Sequence, residues 1–287
     1  MAKKTSSMKK KRLIADIASY VTLAVLGALW VSPLVVLIIT SLRNERSADR
    51  TYLWPREGFS FHNYTDLFTD TELLNYPQWL GNTFIVAIFT CIISTFMVLS
   101  VSYTMSRLRF KMRKSFMNIA LVLGMFPGFM SMIAIYLMFT LFDLNGTLTA
   151  LVIAYSAGTG LGFYVSKGFF DTIPKAIDEA AMIDGASKWK IFYKITIPLS
   201  KPIIIYTIFT SFMSAWTDFI FVSVIQGDKV EKYTVAVGLY TMLDNEYISR
   251  YYTRFCAGSV LIAIPLIILF IAMQKYYTEG VTGAVKG

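Results

Sequence analysis

The chain has 287 residues, 55% of them hydrophobic and only 16% charged, with a formal net charge of +9 and a mean hydropathy of +0.56. A soluble domain carries about 25% charged residues, so this composition excludes an ordinary water-soluble fold and points to a bilayer protein. The basic excess is spread among loops rather than gathered in one patch, which argues against a nucleic-acid partner, and one histidine with two cysteines offers no zinc-type ligand set, so neither metal nor cofactor is expected.

Lys3, Lys4, Lys9, Lys10, Lys11 and Arg12 precede the first apolar run. That run is longer than the roughly 7–15 residues of a signal-peptide core and no small-residue cleavage motif follows it, so a retained first helix is expected. Uncharged runs occupy 17–42, 73–106, 115–142, 144–166 and 255–274, with a sixth, 202–227, interrupted only by Asp218. A spanning helix needs about 20 apolar residues. The expectation is therefore an all-α polytopic membrane protein with six transmembrane helices, near 17–41, 81–105, 116–141, 148–167, 202–226 and 255–275. They would form a single domain over 1–287, with an N-terminal segment 1–15, a loop 168–201 and a tail 276–287.

Several local features refine this outline. "LLNYPQW", at the start of the second run, reads as an interfacial lead-in with Trp79 at headgroup level. Pro33, Pro127 and Pro265 lie inside spans, where they are expected to kink the helices. "AGTGLG" (157–162) lacks the strand context and the Gly-Lys-Ser/Thr ending of a phosphate loop. Its Gly158 and Gly162, four apart, instead suggest a small face for close helix packing. Asn63-Tyr-Thr65 and Asn145-Gly-Thr147 are sequons that matter only in a glycosylating pathway.

Lys and Arg set the orientation. One set of loops (1–12, 107–114, 167–201 and the tail) holds nineteen, the other (43–56 and 227–254) eight. The positive-inside rule places the first set, and both termini, in the cytoplasm. The 167–201 loop is then cytoplasmic and is patterned. Pro174 suits a helix opening; Ile177, Ala180, Ala181 and Asp184 follow at i, i+3, i+4 and i+7; Gly185 suits a left-handed stop. Ser187 can cap a second helix with Trp189, Phe192, Tyr193 and Thr196 on one face, ended by Pro198, and Pro202 opens the next span. Physical chemistry alone leaves two readings, a rigid knob for a partner or a helix lying on the membrane surface.

The segment "EAAMIDGASKWKIF" with Phe192, Ile195 and Pro198 matches the spacing E-A-A-x-x-D-G-A of one signature. It resembles the EAA loop of permease subunits in ATP-binding-cassette (ABC) importers. "SYTMSRLRF", "NTFIVAI", "MFPGFMSMIAIY", "YTVAVGL" and "GVTGAVKG" are similar to the carbohydrate branch, most closely to the smaller permease of maltose/maltodextrin importers; 43–79 matches least. The resemblance implies a multi-pass subunit of the bacterial inner membrane. Its partners would be a second, non-identical permease, two cytoplasmic ATP-binding subunits that perform the hydrolysis, an extracytoplasmic sugar-binding protein, and membrane lipid. Carried over, Glu179 would pair with a basic residue of the ATPase, and Ala180, Ala181, Asp184 and Ala186 would belong to the contact region. Gly185 would set the angle between the two helices, with Phe192 and Pro198 completing the signature. Gly283, Lys286 and Gly287 match a tail that reaches the ATPase interface, and 227–254 corresponds to a loop that meets the binding protein.

The substrate path is less marked. Asp218 is the single ionisable group inside a span, and such groups usually face a route or the bundle interior. Span five's midpoint falls near residue 214, which instead favours a helix-end role for Asp218. Trp216 could stack on a sugar, and Asn82, at the head of span two, is more a structural group than a ligand. An ion-gradient-driven secondary transporter is the alternative class; it would need intramembrane carboxylates or broken helices forming an ion site. An enzyme is disfavoured, since no nucleophile–base pair lies in the spans.

Overall fold

The computed structural model describes residues 2–45, 54–158 and 162–283. Among them helices dominate, and the single β feature is an isolated antiparallel bridge between Arg43 and Phe59. Three helices are long and apolar enough to cross a bilayer unbroken: α1 (Ala2–Ser41), α3 (Tyr76–Arg107) and α14 (Ile248–Gly283). Bent pairs bring the crossings to six. These pairs are α4 (Arg113–Gly124) with α5 (Gly128–Leu141), α6 (Leu148–Gly158) with α7 (Gly162–Thr172), and α11 (Lys201–Thr217) after the helical segment 188–199.

Two compact units divide the chain. The first comprises residues 1–69 and 242–260. Its organiser is Asn63 on α2 (His62–Thr69), which is buried and fully used. Asn63 Nδ2 donates to the carbonyls of Ser41 (3.0 Å), the last residue of α1, and Arg43 (2.8 Å), two residues on, while Oδ1 accepts from the Thr253 hydroxyl at 2.9 Å. Arg254 closes on Asp66 at 2.7 Å. Buried amides are stable only when satisfied in this way. The Asn63 sequon is therefore a structural keystone. Residues 12–36 of α1, by contrast, are exposed along their length.

The second unit, residues 70–241 and 261–287, is built on α3. Asn75 caps it, its side chain accepting from the Gln78 amide at 3.1 Å. Thr83, Ala87, Thr90, Ser94, Val98, Ser102 and Ser106 recur every three or four residues along α3 and are all buried. In hydrocarbon, small side chains drive association by letting backbones approach and by hydrogen-bonding across helices. Here Ser211 Oγ on α11 donates to Ser94 Oγ at 3.1 Å, and Ser102 Oγ donates to the Phe163 carbonyl of α7 at 3.0 Å. The close packing expected of Gly158 and Gly162 is only half present. A Cβ on Gly162 would meet Val98 at 3.9 Å, whereas a Cβ on Gly158 would meet nothing within 4 Å.

Prolines act unequally. Pro33 and Pro265 stay inside continuous helices, whereas Pro127 is the N-cap of α5 at a 99° bend from α4. Phe126, just before it, is discouraged from helical geometry by the proline ring, so the kink expected at Pro127 in the span over 116–141 takes the form of a full break between two helices. The 202–227 run also breaks, at Asp218–Phe219, between α11 and α12 (Ile220–Gln226). Trp79 is another departure from expectation: it is buried rather than at an interface, and its Nε1 donates to the Val230 carbonyl at 3.0 Å. A folded segment, with α13 (Val235–Thr241), covers it. Asn82 Nδ2 donates to the carbonyls of Glu231 and Tyr233, both at 2.9 Å, and Thr83 Oγ1 accepts from the Val235 amide at 2.8 Å. A Cβ placed on Gly238 would fall 2.1 Å from Cδ2 of Trp79, so only glycine fits.

Overpacking of this kind costs about 1–3 kcal/mol, and each kcal/mol moves an unfolding midpoint by roughly 2–4 °C in a chain of this size class. Gly238→Val is expected to lower the midpoint of the detergent-purified protein by about 5 °C, read by differential scanning fluorimetry. Gly81→Ala, with nothing near its Cβ position, is expected to leave it unchanged.

Candidate functional site

The loop after α7 folds as the sequence pattern requires. Pro174 precedes α8 (Lys175–Ile183), and Asp184 is its C-cap. Gly185 has φ +78, a conformation in which a Cβ is strained. The Gly185 amide donates to the Met182 carbonyl at 3.0 Å, and the Ala186 amide to the Ala181 carbonyl at 2.9 Å. Those two bonds are the Schellman pair that closes a helix on a left-handed residue. Ser187 then caps α9 (Lys188–Ile191), its Oγ accepting from the Lys190 amide at 3.3 Å.

The second helix departs from a uniform α-helix. Phe192–Thr196 forms a π-turn in which the Ile197 amide bonds the Phe192 carbonyl, and α10 (Ile197–Leu199) follows. Pro198 explains the widening: it has no N–H, and its ring crowds the Lys194 carbonyl four residues earlier. Pro198 therefore lies inside the helix rather than ending it; the chain turns by 83° at Ser200, and Pro202 opens α11. The widened turn also splits the aromatic face. Phe192 and Thr196 are buried with Ile191, while Trp189 and Tyr193 are each 65% exposed.

What holds the loop lies on α3. Arg107, its last residue, has a side chain only 4% exposed; its Nη2 donates to the carbonyls of Phe170 and Ile173, both at 2.8 Å. The same guanidinium ion-pairs with Asp178 on α8, Nε to Oδ2 at 3.3 Å. One side chain thus fastens the end of α7 and the first turn of α8 to the end of α3. Tyr103, one turn earlier on α3, donates to the Lys188 carbonyl at 3.1 Å and packs on Phe192 with ring centroids 4.7 Å apart. Leu99, Phe170, Ile173 and Ile203 complete this apolar joint. Ser106 Oγ and Lys167 Nζ both bond Asp171, each at 2.6 Å.

With Asp178 turned inward, its neighbours face out. Glu179, Ala180, Asp184 and Gly185 are exposed, Ala181 and Ala186 are half-buried, and Ile183 is 87% exposed. Glu179 forms no ion pair among the described residues. Phe192 is instead part of the joint, and Pro198 shapes the π-turn and is exposed. Gly283 is the last described residue, still within α14, and Lys286 and Gly287 lie outside the described residues. The sequence reading missed Arg107, Asp178 and Tyr103. Arg107 carries a signal after the fact, as the residue that ends the longest uncharged run.

The three path residues separate. Asn82 is engaged by the carbonyls of the 227–241 segment, and Trp216 is buried against the rings of Phe84 (4.9 Å) and Phe212 (5.7 Å). Asp218 is half-buried, and its Oδ1 accepts from the Phe221 amide at 3.0 Å, capping α12. Its Oδ2 accepts from the Tyr155 hydroxyl at 3.0 Å. Both groups also line a cavity of about 370 Å³ with Phe129, Ser131 and Phe221.

Losing one partner of a buried ion pair costs about 3–5 kcal/mol, and here the low end applies because two carbonyls still hold the guanidinium. Asp178→Ala is expected to speed amide hydrogen exchange across 175–191 by about 100-fold, following the same roughly 3 kcal/mol, while 83–99 on α3 keeps its protection. Mass-spectrometric exchange reads both, and Glu179→Ala, one position away but exposed, is expected to change neither.

Comparison with known proteins agrees with this architecture. The family model described as "Binding-protein-dependent transport system inner membrane component" matches residues 97–282. The galactooligosaccharides transport system permease protein GanQ of Bacillus subtilis (strain 168) is 35% identical over 284 residues, covering 98% of this chain and 99% of that protein. The maltodextrin transport system permease protein MalD of Streptococcus pneumoniae (strain ATCC BAA-255 / R6) is 31% identical, again over 98% of this chain and 99% of that protein. A chain of a bacterial ABC transporter involved in the import of the acidic polysaccharide alginate shares the fold, with a TM-score of 0.78 at 22% identity over 92% of this chain and 96% of that chain. With the family model spanning more than half of the sequence and relatives aligned almost end to end, the chain belongs to the binding-protein-dependent inner membrane components, the permease subunits of ABC importers.

Proposed function

We propose that this chain is one permease of an oligosaccharide importer, pairing with a second, non-identical permease and driven by two ATP-binding subunits that dock on its EAA loop. The observation that carries this reading is the exposed Glu179 and Ala180 on a short helix whose opposite side is fastened to α3 through Arg107. A docking lever must be stiff toward its own span and open toward its partner, and this one is both. Glu179 offers a free carboxylate, Ala180 and Ala181 let a partner backbone approach, and Gly185 with its Schellman bonds fixes the corner. The tail from Gly283 through Lys286 and Gly287 is assigned to the same ATPase interface.

The basic end of the bundle is cytoplasmic in this reading, with both termini there and the chain in a bacterial inner membrane; the Lys and Arg distribution supports it. The folded 227–241 segment clamped over Trp79 then faces the extracytoplasmic sugar-binding protein. The substrate class is a neutral oligosaccharide, on the names of the relatives; maltodextrin and galactooligosaccharide are the two candidates they supply. Asp218 and Tyr155, at the 370 Å³ cavity, form the polar wall this subunit gives the path.

The test is reconstitution in vesicles with the second permease, the ATPase subunits and the binding protein, with maltodextrin and galactooligosaccharide offered in parallel. Uptake is expected to require ATP and to survive collapse of ion gradients. Gradient-driven uptake without ATP would return the chain to the secondary-transporter class. Gly185→Val, forced left-handed at about 1–2 kcal/mol, is expected to insert and assemble but to cut uptake per ATP hydrolysed by tenfold or more. Glu179→Ala is expected to weaken ATPase-subunit binding by about 2–5 kcal/mol if the carboxylate is buried in the complex, measured by titrating labelled ATPase onto vesicles; unchanged affinity would remove Glu179 from the interface.

A further inference from the structure

The segment joining α3 to α4, with the first turn of α4, carries Arg109, Lys111, Arg113 and Lys114 within six positions and no acidic residue. With Phe110 and Met117 these four cations line a cavity of about 470 Å³. Among the described residues none of the four forms an ion pair. Asp171 lies within electrostatic reach of Arg113, but it is already engaged by Lys167 and Ser106. A hollow ringed by four uncompensated like charges is complementary to an anion.

The surroundings narrow the class of anion. The cations begin two residues after the apolar helix α3 ends, which is the depth of lipid headgroups. An apolar skirt adjoins them. Phe110, Met112, Phe116 and Ile119 are exposed, the rings of Phe110 and Phe116 lie 6.3 Å apart, and α4 has no buried residue. A free anion would use the cations alone, whereas a lipid uses the cations and the skirt together. Basic pockets at this depth recognise anionic headgroups. We propose that this hollow binds the phosphate-bearing headgroup of an anionic phospholipid, whose acyl chains run along Phe116 and Ile119.

Native mass spectrometry of the full chain in zwitterionic detergent tests this with phosphatidylglycerol and phosphatidylcholine of identical chains. The wild type is expected to retain phosphatidylglycerol at least tenfold more strongly. Each surface cation is worth about 1 kcal/mol toward anionic lipid, or about fivefold. Arg109→Gln with Lys114→Gln is therefore expected to weaken phosphatidylglycerol by about 25-fold and leave phosphatidylcholine unchanged, while Lys201→Gln, an exposed cation elsewhere, changes neither. Should the double variant fail to fold, Lys111→Gln alone carries the test with a fivefold loss. Equal retention of both lipids, or unchanged phosphatidylglycerol in the variants, overturns the proposal. So does displacement of the lipid by equimolar inorganic phosphate, which would make the hollow a free-anion site. Loss of ATPase-subunit binding with lipid retention intact would make it a protein contact and overturns it equally.

Discussion

The guanidinium of Arg107 is the constraint on which the EAA loop depends. It sits at the point where α3 leaves the hydrocarbon and has a nearly inaccessible side chain. A charge in that position is tolerable only if it is paired; Nη2 donates to two carbonyls at the end of α7, and a carboxylate on α8 supplies the counter-charge. Satisfying the charge therefore gathers three segments into one joint. Orientation follows from the same fact: with Asp178 drawn inward, Glu179 next to it in sequence faces outward.

The rest of the second unit transmits that joint along α3. A stripe of Thr, Ser, Ala and Val lets α7 and α11 come close, and the hydroxyls on the stripe bond across to both. At the other end, the first turns of α3 receive the folded 227–241 segment through Asn82, Thr83 and Trp79. Helix α3 is thus in direct hydrogen-bonded contact with both loops. The hydroxyls of Thr83 and Thr207 each donate to the carbonyl one turn back, which leaves the oxygen free to accept from a neighbouring element, as Thr83 does from the Val235 amide.

Much of this was legible in the residues and some was not. The six crossings, the helix pair around Gly185 and the Ser187 cap follow from local rules of hydropathy and capping, and those rules do not need to know the neighbours. The buried stripe on α3 was also legible as a period of three to four. Hydropathy hides it because Ser and Thr dilute an apolar window little. Trp79 was misplaced because its partner, Gly238, lies 159 residues away, and an aromatic at a span's edge looks the same whether it meets headgroups or a loop. A kink at Pro127 was legible but not its size, and the π-turn and the Arg107–Asp178 pair were not legible at all, for a related reason. Each depends on which competing strain or charge the tertiary packing satisfies first.

The π-turn over Phe192–Thr196 sets a phase as well as a shape. A π-turn is equivalent to one residue inserted into an α-helix, and one residue amounts to about 100° of rotation and 1.5 Å of rise. The joint residues Ile191 and Phe192 and the 83° turn at Ser200 are thereby held in a register that an uninterrupted helix of the same length would not give. The geometry of this segment depends on its length before it depends on its composition. A chain with one residue fewer here could keep every side chain of the signature and still fail to seat Ile191 and Phe192 on the joint while α11 keeps its direction.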